Sequence, residues 1–233
     1  MTIKLYDRAG AEDERRFSPN CWRITIALAH KGLAFETIPW RFTEKNVIAF
    51  SGQGAVPVLV DDARTVFDSW RIALYLDEAY PGHPKLMDSE QARGAIFAFK
   101  NWCERYVHTA MFRVIILDLF AHLHEKDKAY FRESRETRIG TTLEAYGADR
   151  TGALAALRQA LDPVRPIFVE QLFIGGPSPS FADYILFGAF QWARVMSPIR
   201  LLEPDDPLYA WRERLLDLHG GIARRAMGFP VSV

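Results

Sequence analysis

The spacing of the apolar residues changes at Pro81-Gly82, and this change constrains the fold more than any other feature of the chain. Upstream, short apolar runs alternate with amphipathic segments. Ile3 to Tyr6, Phe35 to Trp40, Pro57 to Val60 and Thr65 to Phe67 read as strands, and Ser18 to His30 and Ser69 to Ala79 as helices. Lys31-Gly32 supplies a basic last turn and a glycine stop to the first helix. Asp61-Asp62-Ala63-Arg64 gives the last two strands hairpin spacing. Downstream the pattern is helical, with segments at Ala92 to His124, Lys126 to Arg138, Ala153 to Leu172, Phe181 to Met196 and Leu208 to Leu218. The expectation is an α/β domain over residues 1–82, a linker over 83–90 and an all-α domain over 91–233.

Lysine and arginine total 29 against 29 aspartates and glutamates, and this balance argues against a broad phosphate-binding face and hence against nucleic acid. No apolar run approaches the ~20 residues of a membrane-spanning helix; the run Val114 to Leu117 stops at Asp118. MTIKLYD enters a strand pattern directly, without an export signal. Two cysteines, Cys21 and Cys103, are too few for a disulfide framework and suit a reducing cytoplasm.

Chemistry concentrates at Phe17 to Arg23, FSPNCWR, where strand passes to helix. A redox protein of the thioredoxin kind carries Cys-Pro-x-Cys at such a turn, and here the first position is Ser18. Ser18 before Pro19 is also an ordinary helix start, a serine N-cap with proline at the first helical position. Neither a neighbouring base nor a GxSxG elbow supports a hydrolytic nucleophile. Cys21 shares a helix face with Ile24, Thr25 and Leu28, which reads as buried packing; the alternative is a thiol activated by the helix start. His122 and His124 lie on different helix faces without further ligands, so no metal is expected. Ser180 to Asp183 fits a capping box with Asp in the fourth place.

The Ser-Pro turn, Val56-Pro57-Val58-Leu59 and Asp68-Ser69 before a helix, followed by an all-α half, resemble the glutathione S-transferase superfamily. The polar insert between Asp7 and Ser18, VPVLVDD, DSWRIALYLDEAYP, Asn101-Trp102 and FRVIILD look most like its bacterial glutathione-dependent β-etherases and their fungal relatives. The resemblance implies a thioredoxin-like first domain with a mixed four-stranded sheet, a helical-bundle second domain and a homodimer. It also implies a cis bond before Pro57, with the main chain of Val56 pairing to glutathione as an added strand would.

Asp68 and Ser69 would hold the γ-glutamyl end, the helix start receiving its carboxylate and Asp68 its ammonium, although Asp-Ser at this place also serves simply as a cap. Ser18 would donate to the bound thiol. Lowering a thiol pKa by about two units from about 8.5 takes roughly 2.7 kcal/mol, within reach of a charge-assisted hydrogen bond and a helix N-terminus. Asn20, Trp102 and Tyr106 are candidates for the wall of a hydrophobic co-substrate pocket, and Arg41 or Lys45 for the glycyl carboxylate. The activity implied is transfer of glutathione to a hydrophobic, aromatic electrophile, with β-aryl ether cleavage in the etherase branch. Two alternatives are a Cys21-dependent thiol-disulfide oxidoreductase and a glutathione-binding protein without turnover.

Overall fold

The computed structural model describes residues 2–230. Four strands, β1 (Ile3–Arg8), β2 (Phe35–Trp40), β3 (Val58–Asp61) and β4 (Arg64–Phe67), form one mixed sheet in the order β2-β1-β3-β4. β2 runs parallel to β1, β3 antiparallel to it, and β4 antiparallel to β3. The parallel step requires a crossover, and α1 (Pro19–His30) supplies it. α2 (Ser69–Ala79) follows the hairpin. This is a thioredoxin-like domain, and the bond between Val56 and Pro57 is cis.

The helical domain begins at α3 (Glu90–Trp102), capped by Ser89. Its axis continues through a π-helical turn, Cys103–Val107, into α4 (His108–Ala121). The long helix expected over Ala92 to His124 therefore exists but carries one over-wide turn. α5 (Glu125–Ile139), α6 (Leu143–Gly147), α7 (Arg150–Ala160), α8 (Arg165–Glu170), α9 (Phe181–Met196) and α10 (Pro207–Arg225) complete the domain. The segment Ala153 to Leu172 is two helices rather than one: Pro163 cannot continue the α7 ladder, and a short 3₁₀ turn intervenes at Asp162–Val164. α10 breaks at Leu218 to Gly221, where His219, Gly220 and Gly221 take φ of 51°, 70° and 75°.

α9 is the axis of the core. From Phe181 to Met196 all of its residues except Arg194 are buried. Its start is fixed as the Ser180–Asp183 pattern predicts: the Asp183 carboxylate accepts from the backbone N–H of Ser180 (2.9 Å) and also from Ile174 (2.7 Å), Gly175 (3.2 Å) and Trp211 Nε1 (3.0 Å). α1 packs directly along α9, so the start of α1 is held at the seam between the domains. Closest approach falls at Gly188, where any Cβ would lie 2.5 Å from the carbonyl oxygen of Pro19.

Candidate active site

Ser18 caps α1. Its Oγ accepts the Cys21 amide at 3.3 Å, which leaves its one O–H free to donate. It stands at the wall of a cleft of about 580 Å³ between the two domains, together with Asn20 and Val56. Val56 lies two residues before the ladder, since pairing of β3 begins at Val58, so its backbone is not committed to a neighbouring strand. Opposite stand Phe112 and Trp192, stacked at 20° with centroids 6.0 Å apart, and beside them Phe42 and Phe131.

Phe42 is positioned by a residue that sequence patterning does not flag. Asp127, fully buried on α5, accepts from the backbone N–H of Phe42 (2.9 Å) and Thr43 (3.0 Å) and from Thr43 Oγ1 (2.7 Å). One carboxylate thereby fastens the loop after β2 to the helical domain. Arg23 does the same from α1: wholly buried, it donates to Glu104 at 2.8 Å and to Ser69 Oγ at 3.4 Å. Burial works against the Glu104 charge, yet Arg23 and Lys100 hold its carboxyl below the ordinary value. Arg23 thus ties the start of α2 to the cleft wall that Glu104 lines.

Asp68 takes φ of 69°, a left-handed backbone rare for a non-glycine residue, and its Oδ1 accepts from the N–H of Trp70 (3.0 Å) and Arg71 (3.1 Å). It is exposed while Ser69 is buried, and the pair lies beside the cleft rather than in its lining. Pro57 fixes the turn into β3.

Trp102 and Tyr106 are not in the cleft lining. Trp102 packs on Phe99 at 5.2 Å between centroids, and Tyr106, 54 % exposed, borders a shallow depression with Asn101 and Arg105 that adjoins the cleft through Glu104 and Thr109. Phe112 and Trp192 supply the aromatic wall of this cleft, where the sequence points to Trp102 and Tyr106. Tyr106 sits within the π-helical turn, where the extra residue per turn takes it and the side chains after it off the face that a regular helix would give them. Arg41 is occupied elsewhere, donating to Gly10 O (3.0 Å), Ala11 O (3.0 Å) and Asp13 (2.6 Å), so it anchors the insert after β1. Lys45 donates to Gly54 O at 2.7 Å.

Cys21 is wholly buried among Trp40, Ile48, Val56 and Val58. Burial first, then the neighbouring Asp7 carboxyl, pushes its thiol well above the ordinary value. Asp7 is itself pushed up to about 6 by burial, against the opposing charge of Arg16. Such a thiol is a poor nucleophile. Cys103 is raised to about 12 by burial. Among the described residues no group of three or more His, Cys, Asp or Glu is placed to hold a metal ion, and no helix is long and apolar enough to cross a membrane.

A hydroxyl-capped first helix of a thioredoxin-like domain, opening onto the helices of an all-α second domain, places the chain among two-domain thioredoxin-like proteins. Within that class it belongs to the glutathione S-transferase family. Residues 17–79 match the glutathione S-transferase N-terminal domain and residues 96–227 the C-terminal domain. The chain is 26% identical over 209 residues to a probable glutathione S-transferase, GSTU6, of Oryza sativa subsp. japonica, covering 84% of this chain and 80% of that one. Among solved structures it resembles glutathione transferase GSTFuA3 of Phanerochaete chrysosporium, with TM-score 0.78, 27% identity and coverage of 95% and 92%. A glutathione S-transferase of Ceriporiopsis subvermispora, solved in complex with glutathione, shares the fold at TM-score 0.81 and 23% identity, covering 94% of this chain and 96% of that one.

Proposed function

We propose that the protein transfers glutathione to a hydrophobic, aromatic electrophile. Glutathione pairs through its main chain with Val56 at the Pro57 turn, its γ-glutamyl end meets Asp68 and Ser69 at the start of α2, and its sulfur meets the O–H of Ser18. That hydroxyl and the α1 N-terminus stabilise the thiolate over the thiol. The thiolate attacks an electrophilic carbon; the carbon–sulfur bond forms as the bond to the leaving group breaks, and the electron pair departs with that group. In the etherase variant of this reading the leaving group is an aryloxide beside a carbonyl. The observation that carries the proposal is the placement of Ser18, Val56 and the stacked Phe112–Trp192 wall around one cleft. A homodimer and a cytoplasmic location belong to the same proposal.

The test assays purified protein with glutathione against chlorodinitrobenzene, a β-aryl ether and a glutathione mixed disulfide, in wild type, Ser18→Ala and Cys21→Ser. The expected result is turnover of an aromatic electrophile that falls in Ser18→Ala and persists in Cys21→Ser. Binding of glutathione without turnover of any substrate would leave a binding protein. Turnover of the mixed disulfide alone, lost in Cys21→Ser, would make the protein a thiol-disulfide oxidoreductase.

A further inference from the structure

The cleft holds more positive charge than the transferase reading uses. Arg8, Arg135 and Arg138 all line it. Arg8 leaves β1 and lays its guanidinium 3.8 Å from the centre of the Phe42 ring and 4.8 Å from that of Trp40. Arg135, from α5, lies 4.9 Å from the same Phe42 ring and 4.8 Å from Phe131, and Arg138 lies 5.5 Å from Phe112. Among the described residues none of the three has a carboxylate within ion-pair distance, and Arg8 Nη1 is buried without a hydrogen-bond acceptor.

Two acids near the cleft, Asp127 and Glu104, are already engaged. Asp127 is spent on the Phe42–Thr43 backbone and the Thr43 hydroxyl, and Glu104 on Arg23 and Lys100. Burial lowers Arg8 to about 10, with Arg135 adding to the effect against the opposing charges of Asp127 and Asp7, and burial and then Arg138 lower Arg135. Arg8 and Arg135 therefore stand partly desolvated, each beside a further guanidinium. Ring faces offset only part of that cost. An anion placed among them would offset much more, and a planar fork of N–H donors fits a carboxylate in two-point fashion.

We propose that, on the transferase reading, the electrophile this cleft selects carries a carboxylate on its aromatic body, bound by Arg8 and Arg135 while the ring lies against Phe42 and the Phe112–Trp192 stack. Arg138, exposed at the rim, draws the anion in. Neutral aromatic electrophiles bind the same walls but leave the guanidiniums uncompensated.

Two measurements test this. In the first, kcat/KM is compared for chlorodinitrobenzoate and chlorodinitrobenzene in wild type, Arg8→Gln and Arg135→Gln. A charge-assisted pair of this kind is worth about tenfold or more. Wild type should prefer the carboxylate by that factor, and the ratio should fall toward one in either variant. In the second, nitrobenzoate and nitrobenzamide are titrated into the protein and followed by quenching of tryptophan fluorescence, a readout that needs no turnover and has Trp192 at the site.

Nitrobenzoate should bind about tenfold tighter than the amide, with the difference lost in Arg135→Gln and reduced by added salt. Equal binding of the two probes, or a preference that survives in both variants, overturns the proposal. So does a rise in KM for glutathione in Arg135→Gln with the electrophile preference intact, which would assign the arginines to the glycyl carboxylate. Absence of turnover with Arg135-dependent binding of nitrobenzoate would overturn the transferase reading and uphold the anion site.

Discussion

Gly188 on α9 and Pro19 at the start of α1 touch so closely that a single added carbon on Gly188 would lie 2.5 Å from the Pro19 carbonyl oxygen. No side chain other than hydrogen fits between the two helices there. Because Pro19 follows Ser18, this contact sets where the capping hydroxyl stands. In Gly188→Ala the backbone of α1 must give way, and overpacking of this kind costs about 1 to 3 kcal/mol. Urea denaturation should show a loss of that size. Transferase activity at temperatures where the variant remains folded should fall as well, since the shift is delivered to the Ser18 turn. A variant with lowered stability and unchanged kcat/KM would show that α1 absorbs the strain away from Ser18.

Asp68 has two roles that two substitutions separate. Its carboxylate caps α2 through Trp70 and Arg71, and on the proposed reading its charge also meets the glutathione ammonium. Asp68→Asn keeps an oxygen acceptor for the cap and tolerates the left-handed backbone, whereas Asp68→Ala loses both. The expected outcome is a KM for glutathione raised about tenfold in both, from loss of a charged hydrogen bond. Stability should fall by about 1 kcal/mol or more in the alanine variant alone. Equal KM in wild type and Asp68→Asn would confine Asp68 to capping.

Asp127 joins α5 to the loop that carries Phe42. In Asp127→Ala the backbone N–H groups of Phe42 and Thr43 lose their acceptor, the first of them buried. Leaving buried donors unpaired costs about 1 to 3 kcal/mol each. Calorimetry should record a large drop in melting temperature. Kinetics of the surviving enzyme should show KM for the aromatic electrophile rising more than KM for glutathione, because Phe42 belongs to the aromatic wall and not to the Val56 edge. A uniform rise in both would contradict that division.

His108 lines the cleft with Nε2 sealed from solvent and unpaired, and burial, with Arg23 adding to it, depresses its pKa to about 3. Its ordinary value is about 6.5, so between these limits the unfolded chain takes up a proton that the folded one refuses. Stability is therefore unaffected by this group above about pH 6.5, falls as pH drops below it, and levels off near the folded value. The slope it contributes is about 1.4 kcal/mol per pH unit. His219, depressed to about 4 by burial and by His30, acts in the same direction. Urea midpoints measured from pH 7 to pH 4.5 should fall less steeply in His108→Gln than in wild type. Parallel curves would mean that His108 protonates freely in the folded protein.

The readings that rest on neighbours in sequence match the structure. The Ser18–Pro19 helix start, the Val56–Pro57 entry to β3, the Asp68 cap and the Ser180–Asp183 box are each made by atoms a few bonds apart. Residue type and spacing almost define their geometry. The alternation that breaks at Pro81-Gly82 likewise separates sheet from helices, because strand and helix periods depend only on the local backbone.

Tertiary structure alone decided the rest. Which aromatic rings face the cleft depended on the π-helical turn at Cys103–Val107, which turned Tyr106 outward and left Phe112 to stack on Trp192. No spacing rule announces such a turn. Arg8 comes from the strand domain and Arg135 from the helical domain, and they meet over Phe42, whose loop Asp127 pins to α5. Taken singly along the chain, each is an ordinary arginine on a strand end or a helix face. Their shared desolvation is a property of packing between distant segments, and it arises only when the two domains close on one another.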